Sequence, residues 1–205
     1  YLLQHPDICM PYWKEPHFFG EYRPPGPVIS DMASYLDLFS CCARHNAIGE
    51  SSTQYLYSPS AARDIKNSFP DAKIIIILRN PIDRAYSLYW HQIRYGAEEA
   101  SFEEALMAEK ERISEDWYPG FHYIHSGMYA NQVKRYLQEF GDEAVKVFLF
   151  EDLKKNSDEF LRNICTLLGV DESFSFLSSK VHNPSGPPRY PALSRFLHSS
   201  SAVKR

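Results

Sequence analysis

The stretch Lys73-Ile74-Ile75-Ile76-Ile77-Leu78-Arg79-Asn80-Pro81 decides the fold of this chain. After Lys73 the run is apolar throughout rather than alternating, which predicts a parallel strand buried on both faces. Asn80-Pro81 follows at once and predicts the start of a helix that continues to about Tyr95, because Asn is a good N-cap and Pro suits the first helical position. A buried strand that leads directly into a helix is typical of an α/β fold.

The remainder of the chain alternates strand and helix in the same way. Val145–Phe150 is a second strong strand, and Ala47–Glu50 is a short strand candidate. Predicted helices run from an Asp31 cap to about Arg44, from Ser58-Pro59, from a Ser101/Glu104 capping box, from Gly127 to Phe140, and from a Ser157 cap to Gly169. We therefore predict a three-layer α/β fold with a mainly parallel sheet flanked by helices, in a single domain over residues 1–205.

Composition excludes some classes of partner. The 22 basic and 26 acidic residues give a formal net charge of −4, which supplies no global attraction to nucleic acid or to an anionic membrane. No apolar run approaches the roughly 20 residues that span a bilayer. A local basic site for an anionic ligand remains compatible with this charge.

The four cysteines are Cys9, Cys41, Cys42 and Cys165. Their spacing matches neither a zinc site nor a Cys-x-x-Cys redox pair, so no metal is predicted. Cys41 and Cys42 are adjacent, which is a poor geometry for bridging each other. The pattern favours buried free thiols in a reducing compartment.

Two segments carry candidate chemistry. In the first, Arg79 ends the buried strand and Ser87 lies eight residues on, in the following helix. Ligands of open α/β sheets bind beyond the carboxyl ends of the strands, and the planar guanidinium of Arg can engage two phosphate oxygens. The alternative interpretation is a surface arginine and an ordinary helical serine.

The second segment is Lys14-Glu15-Pro16-His17-Phe18-Phe19-Gly20, whose alternative interpretation is a solvated charged loop with two anchoring phenylalanines.

Together these two segments resemble those of sulfotransferases that use 3′-phosphoadenosine 5′-phosphosulfate (PAPS), in the carbohydrate or heparan sulfate branch. The resemblance implies that Arg79 and Ser87 hold the 3′-phosphate of the donor. It implies that Glu15 is the general base for the acceptor hydroxyl, with His17 beside it and Lys14 neutralising sulfate or acceptor charge. We then expect Glu15 to face the same cleft as Arg79, and no metal to take part.

Weaker similarities extend the site. Tyr129, in Gly127-Met128-Tyr129, matches a tyrosine near the nucleotide, although a core tyrosine is the alternative. Arg189 lies in a late Ser-, Pro- and Gly-rich loop that resembles one closing over PAPS in the family, and a flexible loop with no role is the alternative. The segment Gly49–Leu56 follows the short strand candidate and resembles the lining of the acceptor cleft. Within it, Ser51 stands next to Glu50 where several relatives place a lysine, which speaks against a strongly anionic, heparin-like acceptor.

The family's phosphate loop, with its lysine for the 5′-phosphosulfate, has no counterpart in these 205 residues. Tyr1–Pro6 reads as the last turn of a helix stopped by proline. We therefore expect an N-terminally incomplete domain that lacks its first strand and is inactive alone.

The predicted function is transfer of a sulfuryl group from PAPS to a hydroxyl or amine of an acceptor, with a carbohydrate favoured and 3′-phosphoadenosine 5′-phosphate (PAP) as product. A P-loop kinase is one alternative, and it requires a GxxxxGK[ST] loop that the chain does not contain. A non-catalytic binding module of the same fold is the other. Bacterial relatives are cytoplasmic and animal relatives lie in the Golgi lumen; short loops and no obvious disulfide pair favour the cytoplasm.

Overall fold

The computed structural model of the chain describes residues 1–24 and 26–178. Contacts divide them into two compact units. The first comprises Tyr1–Arg23, Pro27–Leu78 and the described residues from Asn131 onward, and the second comprises Pro24, Gly26 and Arg79–Ala130. The prediction of one domain over the whole chain stays a prediction.

All four strands of the described residues belong to the first unit: β1 (Ile8–Cys9), β2 (Ala47–Ile48), β3 (Ile74–Leu78) and β4 (Val145–Leu149). β1 pairs with β2, and β3 with β4, in two separate two-stranded sheets. Both pairings are parallel, as predicted. In the second sheet the register runs from Ile74 opposite Val145 to Leu78 opposite Leu149.

The prediction that β3 is buried on both faces was wrong. Ile76 is 5% exposed, but its neighbour Ile77 is 47% exposed. Val147 and Leu149 of β4 are also exposed. Among the described residues β3 pairs with β4 alone, and a two-stranded ladder cannot enclose its own side chains.

The α-helices of the described residues are α1 (Met32–Asp37), α2 (Ala61–Ser68), α3 (Pro81–Arg94), α4 (Phe102–Met107), α5 (Glu109–Ser114), α6 (Tyr129–Phe140), α7 (Phe150–Lys155) and α8 (Ser157–Leu168). Short 3₁₀ turns stand between several of them. The predicted capping box of Ser101 and Glu104 opens α4.

Several helix ends differ from the predictions. Asp31 caps α1 as expected, but α1 ends at Asp37 and a separate 3₁₀ turn follows over Ser40–Cys42. The cap of α8 is Asn156 rather than Ser157, because the Asn156 side chain accepts the Glu159 amide. α2 begins at Ala61 rather than at Ser58-Pro59. The Ser58 hydroxyl accepts a hydrogen bond from the Ala61 amide.

Each unit has its own core. The largest core of the first unit includes Phe19, Tyr35, Ile65 and Tyr136. The core of the second unit consists of aromatic and small residues of α3, α4 and the chain around Phe121. The buried residues of this apolar cluster are Ala85, Tyr89, Ala97, Ala105, Phe121 and Tyr123.

The cysteine prediction requires correction. Cys9 at the end of β1 forms a disulfide with Cys42, with 5.5 Å between the Cα atoms, so neither is a free thiol. The two residues are 33 positions apart, and the spacing gave no sign that the fold brings them together. Cys41 and Cys165 are free, and Cys41 does not bridge Cys42.

Candidate active site

The segment around Glu15 has an unusual backbone. Glu15 and His17 have φ angles of 54° and 47°, in the left-handed region that non-glycine residues rarely adopt. Gly20 has φ 77°, and a Cβ there would lie 2.3 Å from the Ser58 hydroxyl oxygen. Such backbone persists only where the surrounding structure holds it in place.

Side chains from the chain that follows β2 hold this backbone. The amide of His17 donates to the Ser52 hydroxyl at 3.0 Å. The amides of Phe18 and Phe19 both donate to the Tyr55 hydroxyl, at 2.9 and 3.3 Å. Three consecutive backbone donors are therefore satisfied by two hydroxyl groups.

The other side of the same segment is fixed by Arg23. Its guanidinium donates to the carbonyl oxygens of Phe18 at 2.5 Å and Gly20 at 2.6 Å. The two phenylalanine rings contact Tyr35, with centroid distances of 4.6 and 5.3 Å. Phe19 is buried and Phe18 packs against the same core, so both rings anchor the turn.

The predicted catalytic side chains lie together. The Oε2 atom of Glu15 is 3.4 Å from His17 Nε2 and accepts the Thr53 hydroxyl at 3.1 Å. Its Oε1 atom is 3.6 Å from Lys14 Nζ. The Lys14 side chain is 71% exposed, the Glu15 side chain 28%, and the His17 side chain 6%. The arrangement is a half-buried carboxylate that solvent, and hence an acceptor, can still reach.

The electrostatics keep Glu15 ionised. Burial alone would raise its pKa, but hydrogen bonds from His17 and Thr53 and the charge of Lys14 outweigh that effect and hold the pKa below its ordinary value. At neutral pH the group is a carboxylate, the form that can accept a proton. Thr53 lies in the segment Gly49–Leu56, which resembles the lining of the acceptor cleft, but nothing in its local pattern indicates a contact with Glu15, 38 residues away.

The predicted donor-side residues are in the second unit. The Asn80 side chain caps α3 by accepting the amides of Ile82 and Asp83 at 3.0 and 3.3 Å. The Tyr129 hydroxyl donates to the carbonyl oxygen of Arg79 at 3.1 Å, a contact that the sequence did not predict. Arg79 is half-buried at the junction between β3 and α3. The start of α3 adds the positive end of a helix dipole beside it.

The other residues singled out from the sequence are Ser87, Ser51 and Arg189. Ser87 is half-buried on α3, and Ser51 is exposed. Arg189 lies outside the described residues. The expectation that Glu15 and Arg79 face one cleft stays a prediction, because they belong to different compact units.

A possible metal-binding group also lies in the first unit. The sulfur atoms of Cys9, Cys41 and Cys42 are within 4.8 Å of one another, the single such cluster of His, Cys, Asp and Glu ligands among the described residues. Metals bind the thiolate, and two of these sulfurs are joined in the disulfide. The cluster therefore offers one available thiol.

No helix among the described residues has both the length and the apolar composition that crossing a bilayer requires.

Comparison with known proteins identifies the family. Residues 21–183 match the sulfotransferase domain, and the chain belongs to this family. A solved sulfotransferase from Alicyclobacillus acidocaldarius is 42% identical, with a TM-score of 0.83 over 90% of this chain and 79% of that one. The match confirms the predicted family and the α/β sulfotransferase fold, and it favours that interpretation over a P-loop kinase.

Two curated relatives from Mus musculus are more distant. The bifunctional heparan sulfate N-deacetylase/N-sulfotransferase 1 is 28% identical over 194 residues, which are 90% of this chain and 22% of that protein. The heparan sulfate glucosamine 3-O-sulfotransferase 3B1 is 26% identical over 187 residues, 88% of this chain and 45% of that protein. The chain thus spans less than half the length of either relative.

Proposed function

We propose that the chain carries the acceptor-activating part of a sulfotransferase that moves a sulfuryl group from PAPS to a hydroxyl or amine of a carbohydrate. The observation that carries the proposal is the Glu15 carboxylate, which is ionised, held by His17 and Thr53, and still 28% exposed. The names of the two mouse relatives support a saccharide acceptor. Ser51 in the place of a lysine favours one of lower negative charge than heparin.

In this reaction Glu15 takes the proton of the acceptor hydroxyl as the new O–S bond forms. The bond between sulfur and the bridging phosphate oxygen breaks, and PAP leaves with the electron pair of that bond. His17 and Thr53 orient the carboxylate, and the proton passes afterwards from Glu15 to solvent. Lys14 supplies positive charge near the anionic groups. Much of the rate enhancement would come from such positioning and charge stabilisation.

For the donor, we propose that Arg79 and Ser87 bind the 3′-phosphate. A guanidinium at the end of a strand, beside a helix N-terminus, suits a dianionic phosphate. The contact from the Tyr129 hydroxyl to the Arg79 carbonyl would fix the backbone of that residue. Arg189 stays a sequence-based candidate for the same ligand.

The compartment is also a matter of proposal. The cytoplasmic prediction depended in part on the lack of an obvious disulfide pair, and the Cys9–Cys42 bridge removes that reason. Structural disulfides persist mainly in oxidising compartments. The oxidised bridge favours a lumenal or extracytoplasmic location over the cytoplasm.

Donor recognition is tested by titration calorimetry with the natural full chain. We expect Arg79→Ala to weaken PAP binding by roughly 10–100-fold, the value of a charge-assisted hydrogen bond, and to leave binding of adenosine 5′-phosphate almost unchanged. Arg63→Ala is the control, since the Arg63 side chain is 66% exposed and lies beside Asp64. Equal losses for both ligands would exclude a 3′-phosphate role.

Turnover is also tested with the natural full chain, by transfer of radiolabelled sulfate from PAPS to a panel of neutral and acidic oligosaccharides. Label on a saccharide supports the proposed function. Phosphate transfer from ATP in place of sulfate transfer would favour the kinase alternative. Tight PAP binding with no transfer to any acceptor would favour the binding-module alternative.

A further inference from the structure

We propose that Glu50 is a positioning residue for Glu15. Its carboxylate orients the hydroxyls of Ser52 and Tyr55, and these hydroxyls accept hydrogen bonds from the backbone amides of residues 17–19. The proposal rests on the proposed function, in which Glu15 is the base. Glu50 lies two residues beyond β2, and its side chain is partly buried among hydroxyl groups.

The Ser52 hydroxyl shows how Glu50 sets the direction of these hydrogen bonds. Its Oγ donates to Glu50 Oε2 at 2.8 Å and accepts from the His17 amide at 3.0 Å. A hydroxyl has one proton, so donation to the carboxylate leaves its lone pairs for the amide. If Glu50 could not accept, the hydroxyl proton would be free to turn toward another acceptor.

Tyr55 and Tyr35 complete the group. The Tyr55 hydroxyl hydrogen-bonds the Glu50 carboxylate while accepting the amides of Phe18 and Phe19. The Tyr35 hydroxyl donates to Glu50 Oε1 at 3.5 Å. An ionised carboxylate can only accept, so all three hydroxyls must point their protons at Glu50. One charge therefore fixes the hydrogen-bond direction of the whole group.

The hydroxyls of Ser52 and Tyr55 hold a segment whose backbone lies in a rarely adopted conformation. Glu15 and His17 have left-handed backbone, and the amides that Ser52 and Tyr55 accept begin at His17. Loss of those acceptors would let the segment relax toward ordinary backbone and turn the Glu15 carboxylate away from its present direction. A displacement of about 1 Å can reduce a rate by about 100-fold.

The charge of Glu50 acts against stability. Burial raises its pKa, and hydrogen bonds from Tyr55, Ser52 and Tyr35 and the charge of His17 oppose that effect only in part. Tyr136 is a further titratable group close enough to interact with it. Between the ordinary and the raised pKa the folded state binds more protons than the unfolded state, so stability decreases as pH rises through that window. A buried charge that lowers stability and organises a neighbouring segment fits a positioning role.

The test is Glu50→Gln in the full chain. Glutamine has nearly the same shape, but its amide nitrogen donates, so at least one hydroxyl must turn. We expect turnover at saturating donor to fall by roughly 10–100-fold. The unfolding temperature at pH 8 should change little, because removal of a partly buried charge offsets the loss of an acceptor for these amides. Hydrogen exchange of the amides of residues 17–19 should accelerate.

The pH profile gives a readout that a merely structural role would not change. In the wild type kcat should decline as pH falls through the raised pKa of Glu50. In Glu50→Gln that decline should be absent, and the remaining acid limb should follow Glu15, whose pKa is lowered. Glu21→Gln is the matched control, because Glu21 also bridges two hydroxyls, those of Ser58 and Ser60, but does not contact the amides of residues 17–19. It should keep wild-type turnover.

Wild-type turnover in Glu50→Gln would overturn the proposal. A fall in turnover that is accompanied by a lower unfolding temperature and an unchanged pH profile would overturn it as well, since Glu50 would then be an ordinary structural residue. If the wild type shows no sulfate transfer at all, the proposed function fails separately. Hydrogen exchange at residues 17–19 would then still decide whether Glu50 organises the segment.

Discussion

The Lys14–Gly20 segment and the β3–α3 junction carry the two halves of the proposed chemistry, but they are built in different ways. At the junction the Asn80 cap acts on amides two and three residues away. In the Lys14–Gly20 segment the amides of His17, Phe18 and Phe19 are held by side chains 35 to 37 residues away. A site can therefore be assembled by short-range signals or by long-range contacts, and only the first kind is visible in a local sequence pattern.

The difference also predicts how each region responds to substitution. Changes to the Asn80 cap should stay local, because its hydrogen bonds close within one turn of helix. Changes around the Lys14–Gly20 segment should be transmitted, because one hydroxyl serves two amides and one carboxylate serves several hydroxyls. Four substitutions test this difference between the Lys14–Gly20 segment and the β3–α3 junction.

Glu15→Gln should have the largest effect. It keeps the shape of the side chain but removes its capacity to take a proton, so turnover at saturating donor should fall by about 10²–10⁴-fold. PAP binding, measured by calorimetry, should be nearly unchanged. If Glu15 instead only pairs with exposed Lys14, the rate would be almost unaffected and stability would change by ~1 kcal/mol or less. Near-normal turnover would end the assignment and leave His17 as the next candidate.

Tyr55→Phe should have the largest effect on stability. It removes the hydroxyl that accepts the amides of Phe18 and Phe19, and unsatisfied donors in a partly buried site cost about 1–3 kcal/mol. For a chain of this length that corresponds to several degrees in Tm by thermal unfolding. Tyr12→Phe is the control, since Tyr12 is fully exposed. An unchanged Tm in Tyr55→Phe would show that the long-range contacts do not hold the segment.

Much of the fold followed from short-range signals. β3, the start of α3 and the capping box of Ser101 and Glu104 could all be predicted because each signal lies within a few residues of its effect. The burial of β3 was mispredicted, because an apolar run does not reveal how many strands and layers will cover it. The Cys9–Cys42 disulfide was missed for a related reason, since spacing along the chain does not give spatial proximity.

The candidate site was predicted unevenly. Lys14, Glu15 and His17 lie together as expected. The contact between Tyr129 and the Arg79 carbonyl was not predicted. The segment Gly49–Leu56 resembles the lining of the acceptor cleft, but the contacts by which its side chains hold residues 15–19 could not be inferred, because the left-handed backbone that requires them follows from tertiary contacts and not from local propensity.

Asn80→Ala tests the short-range half of the comparison. Loss of the N-cap should reduce the free energy of unfolding by about 1 kcal/mol, within the range of 0.5–2 kcal/mol for such caps. Hydrogen exchange should accelerate only in the first turn of α3. Ser101→Ala, which removes the cap of α4, should produce a loss of similar size elsewhere in the same unit. Accelerated exchange at residues 17–19 in Asn80→Ala would contradict the local character of the junction.

Thr53→Ala should have the smallest effect on turnover, and its main effect should be a shift in the pH dependence of kcat/KM. The Thr53 hydroxyl donates to Glu15 at 3.1 Å and helps to lower the pKa of that carboxyl. Without it the pKa of Glu15 rises, so the acid limb of kcat/KM should move to higher pH. One hydrogen bond of about 0.5–1.5 kcal/mol corresponds to a factor of about 2–10, well below the effect of Glu15→Gln. Thr53→Ser keeps the hydroxyl and should restore the wild-type profile. If Thr53→Ala and Thr53→Ser behave alike, the hydroxyl has no part in tuning Glu15, and His17 and Lys14 alone keep it ionised.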